Sequence, residues 1–95
     1  MIKVTVVYPN SSGSHFDIRY YCNTHIPLVA RLLGPALKGV AVEHGIAGAA
    51  PGSPAPYLAI GQLQSAFGPH SKEIMSDVPN YTNIEPVIQI SEVKL

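Results

Sequence analysis

The chain has 95 residues, of which 46% are hydrophobic and only 13% are charged, and its formal net charge is zero. This length allows one small domain, which alone buries only about two-thirds of the surface of its unfolded chain, so we expect a second copy of the chain to cover part of the apolar surface. There is no cluster of Lys or Arg. Because neutralisation of phosphate charges supplies most of the affinity for nucleic acids, we do not expect this chain to bind them.

Membrane insertion and disulfide formation are not expected either. No apolar run approaches the ~18 residues that span a bilayer, and the first residues alternate like a strand instead of forming the apolar centre of a secretory signal. The single cysteine, Cys22, excludes a disulfide within the chain and fits a reducing cytoplasm. Cys22 falls on the apolar face of a predicted helix, where we expect a small core residue.

The predicted elements follow a β-α-β-β-α-β order. This is the order of the ferredoxin-like split βαβ unit, an α+β fold in which two helices cover one face of a four-stranded antiparallel sheet. The predicted strands are residues 2–8, 37–44, 57–63 and 86–93, and the predicted helices are residues 14–33 and 65–78.

The first helix carries clear signals at both of its ends. Ser14, followed three residues later by Asp17, has the pattern of a capping box that opens a helix. Gly34, followed by a proline, ends it. Inside the helix, Pro27 leaves the carbonyl of Asn23 without its usual partner, and we expect a bend there.

Alternation along the first and last strands separates two faces of the sheet. One face is purely aliphatic and suits the helix side, whereas the other is mixed and suits contact with a second sheet. Two such sheets packed face to face form a dimeric α+β barrel, so we predict a homodimer. The aliphatic set is Ile2, Val4, Val6, Ile88 and Ile90, and the mixed set is Lys3, Thr5, Val7, Val87, Gln89 and Ser91.

A histidine lies near the centre of the apolar face of the first helix. With ~100° of rotation per residue, His25 falls between Tyr21, one turn before it, and Val29, one turn after it. Burying a titratable ring without a partner costs free energy. His25 is therefore either a core histidine satisfied by a carbonyl or hydroxyl, or a group that handles a proton or orients a ligand in a small cavity.

Several linked motifs resemble the EthD family, named after a protein required for bacterial degradation of ethyl tert-butyl ether. The resemblance runs nearly end to end and implies a dimeric α+β barrel, of the kind shared with muconolactone isomerases, polyketide cyclases and cofactor-free monooxygenases, together with a link to oxidative catabolism. Fold alone does not define the reaction. The motifs are Met-Ile-Lys-Val at the start, Tyr20-Tyr21-x-x-x-His25-x-Pro27, Phe67-Gly68-Pro69-His70, Ile74-Met75-x-Asp77, Asn80-Tyr81-Thr82-Asn83 and the ending Pro86-Val87-Ile88-Gln89-Ile90-Ser91-Glu92.

One connection departs from the family pattern. Family members carry a longer, polar segment between the third strand and the second helix, whereas here residues 61–63 run almost directly into residues 64–67. A strand followed by a helix on the sheet face commonly needs a turn of ~2–6 residues. The connection at residues 63–66 is therefore either a true deletion or the mark of an omitted segment.

Two further residues are candidates for ligand binding. His70 flanks the apolar stripe of the second helix, one turn from Glu73, which also suits a surface ion pair. Its place in the Phe-Gly-Pro-His motif of the family favours a role in the site. Tyr81 follows in a loop expected to approach the same end of the sheet, where a tyrosine can also serve as a loop anchor.

No metal or cofactor is expected. The four histidines show no i, i+3 or i, i+4 spacing and no H-x-H pair, and the lone cysteine brings no partner. Gly45-x-x-Gly48 precedes a strand and not a helix, so no phosphate-binding loop is present.

Two functional classes remain open. The first is a cofactor-independent oxidoreductase, monooxygenase or isomerase that binds a small hydrophobic or cyclic organic molecule between the helices and the sheet. In that enzyme His25 is the general acid/base, Tyr21 its hydrogen-bond partner, and Gln62 or Gln89 orients a carbonyl. The second is a non-catalytic dimeric carrier that delivers a hydrophobic metabolite to a partner oxygenase.

Overall fold

The computed structural model describes residues 2–65 and 71–95, and in these ranges the chain forms four strands and two helical stretches. The α+β prediction is confirmed. The elements are β1 (Ile2–Pro9), α1 (Ile18–Tyr20), a π-helical turn (Tyr21–His25), α2 (Ile26–Leu33), a 3₁₀ turn (Gly34–Ala36), β2 (Leu37–His44), β3 (Tyr57–Ser65), α3 (Ser71–Ser76), a second 3₁₀ turn (Val78–Asn80) and β4 (Val87–Glu92).

The strands form one antiparallel sheet in the order β2-β3-β1-β4. This is the ferredoxin-like arrangement, with β1 and β3 in the centre, so the predicted topology is confirmed as well. β3 continues to Ser65, beyond its predicted end at Leu63. The predicted helix 65–78 therefore begins too early in the chain, and the part of it between β3 and α3 lies outside the described residues.

The register separates the two faces of the sheet as the alternation predicts. Val6 pairs with Gly61 on one side and Ile88 on the other, and this row faces the helices. Thr5 pairs with Gln62 and Gln89, which therefore share the opposite face. In the described ranges no helix packs on that second face, which we call the open face.

Asp17, not Ser14, caps the first helix. The Asp17 side chain accepts a hydrogen bond from the backbone N–H of Tyr20. The Ser14 hydroxyl instead accepts from the backbone N–H of Ser11 and closes the preceding turn. The chain between them is held in an isolated bridge between Phe16 and Thr82, so helical geometry cannot begin at Ser14 as predicted.

The first helix widens into the π-helical turn just before Pro27. The backbone N–H of Ile26 bonds to the carbonyl of Tyr21, five residues back. A wide turn rotates less per residue than an α-turn, so the rings of Tyr21 and His25 come to stack on one another. Uniform helical rotation placed Cys22 on the apolar face, and this expectation is wrong, because the wide turn leaves Cys22 exposed.

The helices meet the sheet around a group of buried aromatic rings. Tyr8, Tyr21 and Tyr81 are each at most 2% exposed and contact one another. Tyr21 reaches the sheet at Gly61, where a Cβ atom would overlap the Tyr21 hydroxyl. The missing side chain at Gly61 therefore allows the Tyr21 hydroxyl to approach the sheet closely.

This contact predicts that Gly61→Ala destabilises the protein by about 1–3 kcal/mol, because the added methyl group overpacks the buried ring of Tyr21. Gly39→Ala is the matched control, since a Cβ there meets mainly the flexible side chain of Gln64. Urea unfolding of both variants measures the difference, and near-UV circular dichroism reports the displacement of the tyrosines. Equal stability of the two variants would contradict the close approach at Gly61.

Candidate active site

A cavity of about 180 Å³ lies between the helices and the sheet. Its lining comes from β1, β3, β4, the first helix and α3, and most of the lining side chains are aliphatic. The lining residues whose side chains carry a polar group are Tyr8, Tyr21 and His25. An apolar cavity with a few convergent polar groups is the usual form of a small-molecule site.

His25 is the last residue of the π-helical turn and lines this cavity. The residue is 3% exposed, and its imidazole lies against the Tyr21 ring, with centroids 5.3 Å apart and planes 17° apart. The Tyr81 ring packs against it from a second direction, with centroids 4.8 Å apart. His25 is therefore held in one orientation by aromatic packing on two sides.

A carboxylate from the second helical stretch fixes the imidazole further. Nδ1 of His25 lies 2.9 Å from Oδ2 of Asp77, whose side chain is only 12% exposed. The other carboxylate oxygen, Oδ1, accepts hydrogen bonds from the Tyr20 hydroxyl at 2.8 Å and from Nδ2 of Asn80 at 2.9 Å. Both oxygens of Asp77 are thus engaged, and neither faces an unpaired polar group.

These contacts decide the protonation of the pair. Partial burial by itself raises the pKa of Asp77, but the hydrogen bonds from Asn80, His25 and Tyr20 outweigh it and hold the pKa below its ordinary value. An ionised carboxylate only accepts hydrogen bonds, so Nδ1 of His25 carries the proton. In the neutral ring Nε2 is then the nitrogen with a lone pair, and among the described residues the bond to Asp77 is the one hydrogen bond of the imidazole.

Three tyrosine hydroxyls form a second polar group beside the pair. The hydroxyls of Tyr8 and Tyr81 are 2.7 Å apart, and the Tyr21 ring packs against both of these tyrosines. Burial raises the pKa of all three phenols far above the ordinary value. They remain protonated at neutral pH and can donate to an oxygen atom of a ligand.

The structure brings together only some of the candidate residues of the sequence. His25, Tyr21 and Tyr81 contact one another, and the first two line the cavity. Gln62 and Gln89 lie on the open face, across the sheet from the cavity. The expectation that either glutamine orients a carbonyl beside His25 is therefore wrong, because the sheet separates them, whereas a role in binding on the open face stays a prediction.

Other candidates are outside the cavity or outside the described ranges. His70 and the Phe-Gly-Pro-His motif lie outside the described residues. Within the residues that the structure does describe, no group of three His, Cys, Asp or Glu side chains could hold a metal ion. Nor does any described helix have the length and apolarity needed to cross a bilayer.

Sequence reasoning missed Asp77, the main partner of His25. The two residues are separated by 52 positions, and their spacing in sequence carries no signal. The predicted topology does carry such a signal, because both helical stretches pack on the same face of the sheet. An acidic residue at the C-terminal end of the second helix can therefore reach the first helix.

The lowered pKa of Asp77 predicts a loss of stability in acid. A depressed native pKa contributes stability that is complete above the unfolded-state value of about 4 and disappears as the pH falls through the native pKa. We expect Asp77→Asn to be about 1–3 kcal/mol less stable than the wild type at pH 7, with a gap that narrows below pH ~4. Urea unfolding across this pH range measures the gap.

The control for this experiment is Glu85→Gln, which neutralises an exposed carboxylate. It should follow the wild type at each pH. A gap between the wild type and Asp77→Asn that stayed constant into acid would show that the carboxylate of Asp77 carries no depressed pKa.

Comparison with known proteins places the chain in a family. No protein-family model and no curated protein matches it. The structure of an EthD-like protein from Ralstonia eutropha JMP134 is 41% identical to it with a TM-score of 0.90, and the match covers 99% of this chain and 92% of that one. An ethyl tert-butyl ether D (EthD) family protein from Bacillus halodurans C-125 shares the fold, with 19% identity, a TM-score of 0.69 and 99% coverage of both chains. The identity of 41% over nearly the whole of both chains shows that this chain belongs to the EthD-like family.

Proposed function

We propose that this protein is a cofactor-independent enzyme that moves a proton on a small organic molecule bound in the cavity, with His25 as the acid/base. The observation that carries the proposal is the bond of 2.9 Å between Asp77 and Nδ1 of His25 at the wall of an apolar cavity. A buried histidine with a purely structural role needs only a hydrogen-bond partner. It does not need an ionised carboxylate that accepts hydrogen bonds from two further side chains.

The pair has the chemistry that proton abstraction requires. Asp77 holds the proton on Nδ1, so Nε2 can accept one from a bound molecule. When it does, the imidazolium that forms lies next to a carboxylate, which stabilises the new positive charge. The aliphatic lining limits competing water and strengthens this interaction.

The tyrosine hydroxyls complement the base. Removal of a proton next to a carbonyl develops negative charge on the carbonyl oxygen, and protonated phenols donate to such an oxygen. Tyr8 and Tyr21 both line the cavity. In this proposal they replace the glutamines that the sequence suggested.

Isomerases and cofactor-free monooxygenases share this first step. An isomerase returns the proton to a different atom of the same molecule, whereas an oxygenase lets the carbanion react with dioxygen. The name of the relative from Bacillus halodurans refers to ethyl tert-butyl ether, and we extend from it only a link to the oxidative catabolism of a small organic compound. The exposed thiol of Cys22 suits the reducing cytoplasm as the place of this activity.

A homodimer is part of the proposal. The open face combines apolar residues such as Val7, Ile60 and Val87 with the polar row of Gln62, Thr5 and Gln89. A small sheet with helices on one side stabilises itself by covering the other side, and a second copy packed face to face does so.

A carrier is the alternative. The largely aliphatic lining of the cavity favours it, because retention of a hydrophobic metabolite requires no base. A carrier returns its ligand unaltered, whereas an enzyme exchanges or relocates a proton.

The proposal predicts that the protein catalyses exchange of the methyl protons of acetone in deuterated water, measured by proton NMR. Acetone is small enough for its entry not to depend on the shape of the cavity. His25→Gln should slow the catalysed exchange by about 10²-fold or more, since a positioned base contributes ~10²–10⁴-fold. Asp77→Asn should slow it as well and shift its pH profile.

His15→Gln is the matched control, because His15 is exposed and lies outside the cavity. It should exchange acetone protons at the wild-type rate. A folded His25→Gln variant that kept the wild-type rate would exclude His25 as the base and leave the carrier.

The homodimer predicts a specific effect of charge on the open face. Thr5→Arg places two like charges in the proposed interface, so we expect it to weaken the dimer more than tenfold. Ser12→Arg, in the exposed turn after β1, is the control. Analytical ultracentrifugation measures both, and a monomeric wild type or an undisturbed Thr5→Arg dimer would contradict the interface.

A further inference from the structure

The size of the cavity limits what it can hold. An engineered cavity of about 150 Å³ lined by Leu, Ile and Phe side chains binds benzene. The cavity here is about 180 Å³. A single six-membered ring with two or three attached non-hydrogen atoms fills such a volume, whereas a second ring extends beyond it.

The charge of the lining limits the ligand further. In the described part of the chain the lining contains no Lys, Arg, Asp or Glu side chain. Among the described residues, Asp77 lies behind His25 with both oxygens already engaged. A carboxylate ligand would meet no cation among the described lining residues and would be repelled by Asp77. A cationic ligand would lose its hydration without gaining a counter-ion from that lining.

The polar groups of the lining lie at one end. Tyr8, Tyr21 and His25 surround one end of the cavity, near the end of β1. The other end is formed by Val4, Leu63 and neighbouring aliphatic residues of the first helix. A ligand that matches this arrangement carries one hydrogen-bonding group and an otherwise apolar body.

The entrance of the cavity is apolar as well. Ile88 and Ile90 of β4 line the cavity and are 44% and 65% exposed. Because lining residues with this exposure connect the interior to the surface, the described part of the structure opens along β4. A charged molecule would have to shed its water while passing two isoleucines.

We infer that the cavity selects an uncharged molecule of one six-membered ring, bearing a single carbonyl or hydroxyl group that is directed at His25, Tyr21 and Tyr8. This inference rests on the proposed function for the orientation of the polar group. The selection by size and charge does not depend on catalysis.

The test is a binding panel on the wild type by isothermal titration calorimetry. Acetophenone has one ring and a neutral carbonyl, benzoate has the same number of non-hydrogen atoms and a charge, and 4-phenylacetophenone adds a second ring. Acetophenone should bind at least tenfold more tightly than benzoate, and the second ring should bring no gain in affinity. Benzoate binding as tightly as acetophenone, or a clear gain from the second ring, would overturn the inference.

Enlarging the apolar end should change the size limit. Leu63→Ala removes a buried side chain from the lining, and we expect it to bind 4-phenylacetophenone at least tenfold more tightly than the wild type. Val40→Ala is the control, because Val40 neighbours Leu63 in the sheet but does not line the cavity. If Leu63→Ala does not fold, the wild-type panel alone decides the inference.

The same panel on His25→Gln separates this inference from the proposed function. Selective binding of acetophenone by this variant, together with unimpaired acetone exchange, would remove His25 as the base and leave the ligand class intact. Exchange that depends on His25, together with equal binding of benzoate and acetophenone, would remove the ligand class and leave the function intact.

Discussion

The Asp77 carboxylate is the interaction on which the interior of this protein depends. It accepts hydrogen bonds from Tyr20 and His25 of the first helix and from Asn80 of the second helical stretch, so one side chain joins the two helical stretches. A carboxylate as little exposed as that of Asp77 is stable because both of its oxygens accept hydrogen bonds. The same donors fix the tautomer of His25, so the contact that stabilises the fold also prepares the site.

The aromatic cluster supports this pair in a different way. Its rings pack edge to face over the end of the sheet, and the hydroxyls of Tyr8 and Tyr81 satisfy one another inside the apolar interior. Gly61 makes the arrangement possible by leaving room for the Tyr21 hydroxyl. The cavity thus has a rigid polar end and an aliphatic remainder, a division that follows from the sequence of the first helix, where Tyr21 and His25 precede Val29 and Leu33.

Periodicity accounts for what could be predicted from the sequence. Alternation along β1 and β4 identifies the face that meets the helices, and the order of elements fixes the sheet topology. The position of Cys22 could not be predicted in this way, because a uniform helical rotation does not allow for a π-helical turn. The contact between Asp77 and His25 was not predicted, because the two residues are distant in sequence. The misplacement of Gln62 and Gln89 was avoidable, since the alternation that turns Val6 toward the helices turns both glutamines away from them.

The separation of 52 positions between His25 and Asp77 has a consequence for how the proposed site forms during folding. The intervening chain contains β2 and β3, so the pair can form only when that hairpin has closed and β3 has docked beside β1. Local helix formation, which is fast, places His25 but gives it no acidic partner. A partly folded chain therefore holds a histidine without an oriented proton, and the proposed base forms only with the native topology.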